Sequence, residues 1–166
     1  MELYGRSKVF TDFGKITAEN VRQAVGQAGA IHERNAAQIR YLFEYYRGKQ
    51  PIKTRYKVVR PDITYNTVVN RAQEIVAFKV SYLLSEPITY ISRKDAVGAS
   101  DQISALNDFM HLSGKQAADK ELADDFSICG VAYRMVPPNS DYKKGSDEPP
   151  FFVSTLNPET TFVAYE

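Results

Sequence analysis

An α+β domain, with several helices packed on a small antiparallel sheet, is what three features of this 166-residue sequence predict. Apolar residues recur at three- and four-residue spacing through the front and middle of the chain, the period of one helical face. Apolar and polar residues alternate in the last third, the period of a strand. Gly48, Pro51 and Pro87 punctuate the chain between these stretches.

Met1 to Ile16 mixes Gly5, Gly14 and isolated aromatics without a period, so residues 1–16 are expected to be a flexible arm, ordered only if something holds them. Thr17 is a plausible N-cap for a helix to about Ala28, its hydroxyl accepting from a first-turn N–H. Gly29 permits a break, and a second helix is expected from about Ala30 to Arg47, with Ala36, Ile39, Leu42, Phe43 and Tyr46 on one face. Gly48 can supply a left-handed cap, and Pro51 forbids continuation.

Lys49 to Asp62 is Pro-flanked and is expected to be an extended connector over the surface. Asn66 to Ser85 carries the clearest helical pattern, with Val68, Val69, Ala72, Ile75, Val76, Val80 and Leu83 on one side, and Pro87 stops it. Pro87 to Ile91 alternates toward a short strand, and Ser92 to Ser100 reads as a loop. Two shorter helices are expected over 101–112 and 115–128, joined at Ser113 and Gly114. Residues 130–136, 151–156 and 160–165 have the pattern of strands in one antiparallel sheet, with the turn-rich stretch 137–150 as a long loop. Residues 17–166 are thus expected to form the domain proper. The chain stops inside an alternating pattern, with no turn or polar tail after it, which suggests the front part of something longer.

The 43% hydrophobic and 25% charged fractions are those of an ordinary soluble globular protein. Net charge is only +1, but residues 1–60 hold twelve Lys/Arg against five Asp/Glu, and residues 61–166 hold nine against fifteen. A chain basic in front and acidic behind suits association with copies of itself or with partners of either sign. One cysteine excludes an internal disulfide framework and fits a reducing cytoplasm. No apolar run approaches the roughly 20 residues of a membrane span, and the N-terminus has no signal-peptide core.

Arg47, Lys49, Lys53, Arg55, Lys57 and Arg60 form a basic stretch uninterrupted by acid from Glu44 to Asp62, with Tyr46 and Tyr56 among the cations. Three readings stay open: a solvated connector, an ionic contact to a neighbouring copy, or phosphate binding, which for six full neutralisations would give a log–log salt slope of about 5. Lys79 falls within the arc bounded by Ala72, Ile75 and Leu83, so its ammonium must snorkel to the edge or meet a carboxylate, within the chain or across an interface.

Enzymatic chemistry finds little support. Cys129 with His32 or His111 could be imagined as nucleophile and base. Cys129, however, shares a helical face with Ala118, Leu122 and Phe126, and His32 shares one with Ile39 and Phe43, both positions for buried core. Asp119, Glu121, Asp124 and Asp125 are dense in carboxylate but lack a His or Cys to complete a ligand set, and read as a solvated acidic face. No phosphate-binding Gly-x-x-x-x-Gly-Lys-Ser/Thr loop is present. No catalytic, cofactor or metal residue is therefore named.

Several strings, weighed by order and spacing together, do carry a signal. Tyr45-Tyr46-Arg47-Gly48-Lys49-Gln50-Pro51-Ile52 and the amphipathic run Val68 to Tyr90 resemble the N-terminal part of the phage portal protein, in the form found in long-tailed phages of Gram-positive hosts. The likeness extends through His32-Glu33-Arg34-Asn35, the run Ala123 to Tyr133, and Leu156-Asn157-Pro158-Glu159, covering most of the chain from about Ile31. The resemblance implies the outer wing of a portal subunit, with the channel-lining stem and the clip lying outside this chain. It implies a ring, usually of twelve subunits, at one capsid vertex of the virion, assembled in the host cytoplasm. Through that ring double-stranded DNA is packaged by a terminase and later ejected. Further implied partners are scaffold, major capsid protein and head-completion or head-to-tail connector proteins. The rival readings are a free-standing DNA-binding module, resting on the basic stretch, and a small hydrolase, resting on Cys129.

Overall fold

The structure is a computed structural model that describes residues 6–63, 66–92, 99–143, 145–146 and 148–166. Among the described residues the elements run α1 (Val21–Tyr46), a 3-10 turn (Pro51–Thr54), α2 (Arg71–Leu83), α3 (Ala99–Leu112), α4 (Lys115–Cys129), β1 (Tyr133–Met135) and β2 (Ser154–Leu156). The class is α+β as expected. The chain divides into two compact units, Met1–Ile75 with Asn157–Glu166, and Val76–Leu156.

The first unit is organised by α1, a single 26-residue helix about 39 Å long where two helices are expected from sequence. Gly26 and Gly29 sit inside it, each with open space where a Cβ would stand. A helical glycine costs about 1 kcal/mol relative to alanine but does not compel a break. The continuous buried face of Ala24, Ala28, His32, Asn35 and Ile39 outweighs that cost. The N-cap is Asn20 and not the expected Thr17, which lies in the turn before the helix: the Thr17 hydroxyl accepts from the Asn20 N–H at 3.4 Å, and the Asn20 carboxamide oxygen accepts from the Thr17 N–H at 2.7 Å. At the other end Gly48 takes φ +81°, with Gly48 N–H donating to Tyr45 O and Lys49 N–H to Glu44 O, a Schellman motif. The Asn70 amide donates to the freed Tyr46 carbonyl at 2.7 Å.

Two extended stretches lie with α1. Tyr165 bridges Phe10 in parallel, its N–H donating to Val9 O and its carbonyl accepting from Thr11 N–H, and Val9 and Thr11 are buried. The 160–165 stretch is therefore not a third strand of the sheet. Its backbone partner stands more than 150 residues earlier in the chain, in the N-terminal segment. Asn35 reaches from α1 to the same segment, accepting from Ser7 N–H at 3.0 Å and donating to Ser7 O at 2.8 Å.

In the second unit α3 packs on α4, and α4 packs on β2. Gly114 at φ +69° and Gly130 at φ +72° bound α4 with the left-handed geometry that glycine tolerates best. β1 and β2 are antiparallel, with Tyr133 opposite Leu156 and Met135 opposite Ser154, and a Pro138–Phe151 bridge continues the pairing. The Thr155 hydroxyl ties the sheet to α4 by donating to Ala118 O at 3.1 Å.

Residues 87–91 are not a strand. The Tyr90 backbone is bonded to one side chain instead, its N–H donating to Asn107 Oδ1 at 2.9 Å and its carbonyl accepting from Asn107 Nδ2 at 3.0 Å. The expected loop 92–100 falls mostly on residues 93–98, outside the described residues; Ala99 and Ser100 already belong to α3.

Candidate functional site

Two of the three residues that could have supported hydrolysis, Cys129 and His32, are buried in packed positions. Cys129 is 3% exposed, closes α4, and its thiol donates to Val131 O at 3.1 Å. Phe126, expected beside it in the core, is instead exposed. Replacing Cys129 by alanine is expected to cost about 1 kcal/mol of stability with no chemical loss. Labelling of the native protein by a thiol reagent at the rate of the unfolded chain would contradict this. His32 is buried, donates from Nε2 to Glu159 O at 3.0 Å, and lies 4.8 Å from the Phe162 ring centroid. His111 is exposed. No group of three or more His, Cys, Asp or Glu is placed to hold a metal among the described residues.

The acidic run of α4 is not one solvated face. Asp119 is buried and paired on both oxygens, by Lys115 one turn earlier and by Arg134 from β1. Burial alone would raise its pKa, but the hydrogen bonds and charges of Lys115 and Arg134 outweigh that and hold it below the ordinary value. The i, i+4 spacing of Lys115 and Asp119 is legible in the sequence; Arg134 is not, since a strand residue joins only through tertiary structure. Glu121 is exposed and Asp124 and Asp125 are half-buried. Burial pushes Asp124 upward, and burial with the neighbouring charges of Glu121 and Asp124 does the same to Asp125.

The basic stretch does not behave as one block. Lys49 pairs with Glu44 at 3.2 Å, Lys57 donates to Ile63 O at 3.1 Å, and the Arg47 guanidinium lies 5.9 Å from the Phe43 ring centroid. Lys53, Arg55 and Arg60 are exposed and form no ion pair among the described residues. Arg60 adopts φ +56°, an uncommon conformation for a residue with a Cβ. The connector is mostly exposed as expected, with Gln50 and Lys57 half-buried, although Pro51–Thr54 forms a 3-10 turn instead of continuing extended.

Lys79 was expected inside an apolar arc, and the arc itself faces water. Only Val76 and Val80 of α2 are buried, whereas Ile75, Phe78, Tyr82 and Leu83 are 55%, 72%, 77% and 72% exposed. Lys79 is exposed among them, so no burial cost arises within the chain. In the first unit, Tyr56, Val58 and Val59 are exposed as well. Apolar groups in water at this density mark surfaces that meet something.

A family model described as phage portal protein, SPP1 Gp6-like, matches residues 27–166. The chain belongs to the phage portal protein family. No curated protein and no solved structure matches it. The matched span begins within α1 of this portal-family chain and takes in α2, α4, both strands and the Asn157–Glu166 stretch. It thus contains every string on which the resemblance in the sequence rests. The family is a structural one, and no helix among the described residues is long and apolar enough to cross a membrane.

Proposed function

We propose that the chain is the wing portion of a structural subunit of the portal ring at the capsid vertex of a phage. The single observation that carries this is the family match over residues 27–166. In this reading twelve copies form the ring, double-stranded DNA passes through its channel during packaging by a terminase and during ejection, and scaffold, major capsid and head-completion proteins dock on it. The wing lies outside the channel, so its business is contact with neighbouring copies and not chemistry. The bare α2 face and the exposed Lys53, Arg55 and Arg60 fit a surface of that kind.

Electron microscopy of the complete subunit is expected to show closed rings with a central channel. Residues 1–166 alone are expected to be a weak oligomer at 0.01 M salt and largely a monomer at 0.15 M, as the Debye length shortens from about 30 Å to about 8 Å. The same material should bind duplex DNA poorly in a shift assay. Tight DNA binding at 0.15 M salt would favour a free-standing DNA-binding module, read from the basic stretch 47–60.

A further inference from the structure

Phe78, Lys79, Tyr82 and Leu83 lie on the outward side of α2, while Val76 and Val80 take the inward side. The Phe78 and Tyr82 rings stack, with centroids 6.1 Å apart and planes at 15°. The two aromatics one turn apart therefore form a pre-set ledge, with the Lys79 ammonium beside it on the same helical surface. A solvated helix face has no use for such a ledge, and its single cation gives it a sign.

The end of α4 has the opposite charge. Glu121, Asp124 and Asp125 share one side of that helix by their three- and four-residue spacing, and Phe126 near the same end is 62% exposed. None of these three carboxylates forms an ion pair or side-chain hydrogen bond among the described residues, in contrast to Asp119 on the same helix. Carboxylates four residues apart on a helix repel one another, so Glu121 and Asp125 gain from any cation brought to them. One surface thus offers aromatic area with a cation, the other unpaired anions.

We propose that the Phe78–Leu83 face of α2 docks head to tail on the acidic end of α4 in a second copy of this chain, Lys79 entering among Glu121, Asp124 and Asp125. A contact between two different faces of identical chains is heterologous, the type that closes into rings or propagates into filaments. The inference rests on the ring reading and names the two faces that meet. An occupant of other chemistry would have to match both the ledge and its charge, and the chain itself already carries that match.

Charge exchange tests it, with self-association of residues 1–166 measured by sedimentation at 0.01 M salt. Lys79→Glu alone and Asp124→Lys/Asp125→Lys alone should each weaken association at least tenfold. An equimolar mixture of the two should restore it, because the glutamate of one variant meets the lysines of the other. Phe78→Ser/Tyr82→Ser, at exposed positions whose exchange should leave the fold intact, should weaken association without rescue by either charge variant. Wild-type-like association of the single charge variants, a mixture that fails to recover, or a wild-type chain that stays monomeric at low salt would each overturn the proposal. Closed rings of the complete subunit alongside such a failure would leave the ring reading standing with its contact elsewhere; absence of rings as well would remove both.

Discussion

Asp119→Ala is expected to destabilise the second unit by about 3 kcal/mol or more, the largest single effect anticipated in this chain. The carboxylate is buried and holds Lys115, itself buried, and Arg134. Removing it leaves an ammonium in low dielectric with its partner gone, and an uncompensated buried charge is what makes breaking such groups costly. Lys115→Met should cost less, since Asp119 keeps Arg134 and the methylene stem is retained. The pH dependence has a definite sign. The folded carboxyl titrates below its ordinary value of 3.8, so its stabilisation is present above about pH 4 and is lost as the pH falls through the lower, folded value. Asp119→Asn should therefore be less stable than wild type at neutral pH and show a shallower loss of stability below pH 4. Urea unfolding at pH 7 and at pH 3 measures both, and a wild-type midpoint for Asp119→Ala would show that the network carries no net stability.

Ile39→Ala should cost about 3 kcal/mol in the first unit. Ile39 is 1% exposed, among the most buried large side chains of the molecule, and continues the α1 face of Ala24, Ala28, His32 and Asn35. The loss combines the transfer free energy of the removed methylenes with a cavity that a helix fixed at both ends cannot collapse onto. Ile39→Val should cost about 1 kcal/mol at the same place. Hydrogen exchange of the α1 amides, read beside urea unfolding, distinguishes this local core from a site that tolerates truncation; equal stability of the alanine and valine variants would count against it.

These two positions also mark what the amino-acid pattern could reveal. Ile39 was legible because helical period, Gly48 and Pro51 are all local signals, and the same holds for α3, for α4 and for the Gly114 turn. Gly29 misled because its freedom is a permission, and the decision to continue α1 was taken by the face buried beneath it. The α2 stripe misled for a related reason: periodicity shows which residues share a side, not whether anything covers that side. Val69, Ile75 and Leu83 share the apolar pattern with Val76 and Val80, yet only the latter two are buried. Asp119 looked like its solvated neighbours because its second partner, Arg134, arrives from β1. The 160–165 stretch had the right alternation for a strand, but its backbone partner is the segment around Val9. The family signal was the exception, since it rests on many strings in order and needs no tertiary partner to be seen.

The Asn107 amide at Tyr90 bears on how such a chain stays soluble at the concentrations at which multi-subunit particles assemble. Ile88-Thr89-Tyr90-Ile91 is exposed, apolar and β-prone, the composition by which one polypeptide recruits the edge of another into an aggregate. With both polar backbone groups of Tyr90 bonded to a side chain of the same unit, a foreign strand would have to displace Asn107 to pair at that residue. Pro87, lacking an N–H, withholds another donor one residue before the segment begins. A single asparagine thereby blunts one pairing position in a sticky sequence on the surface.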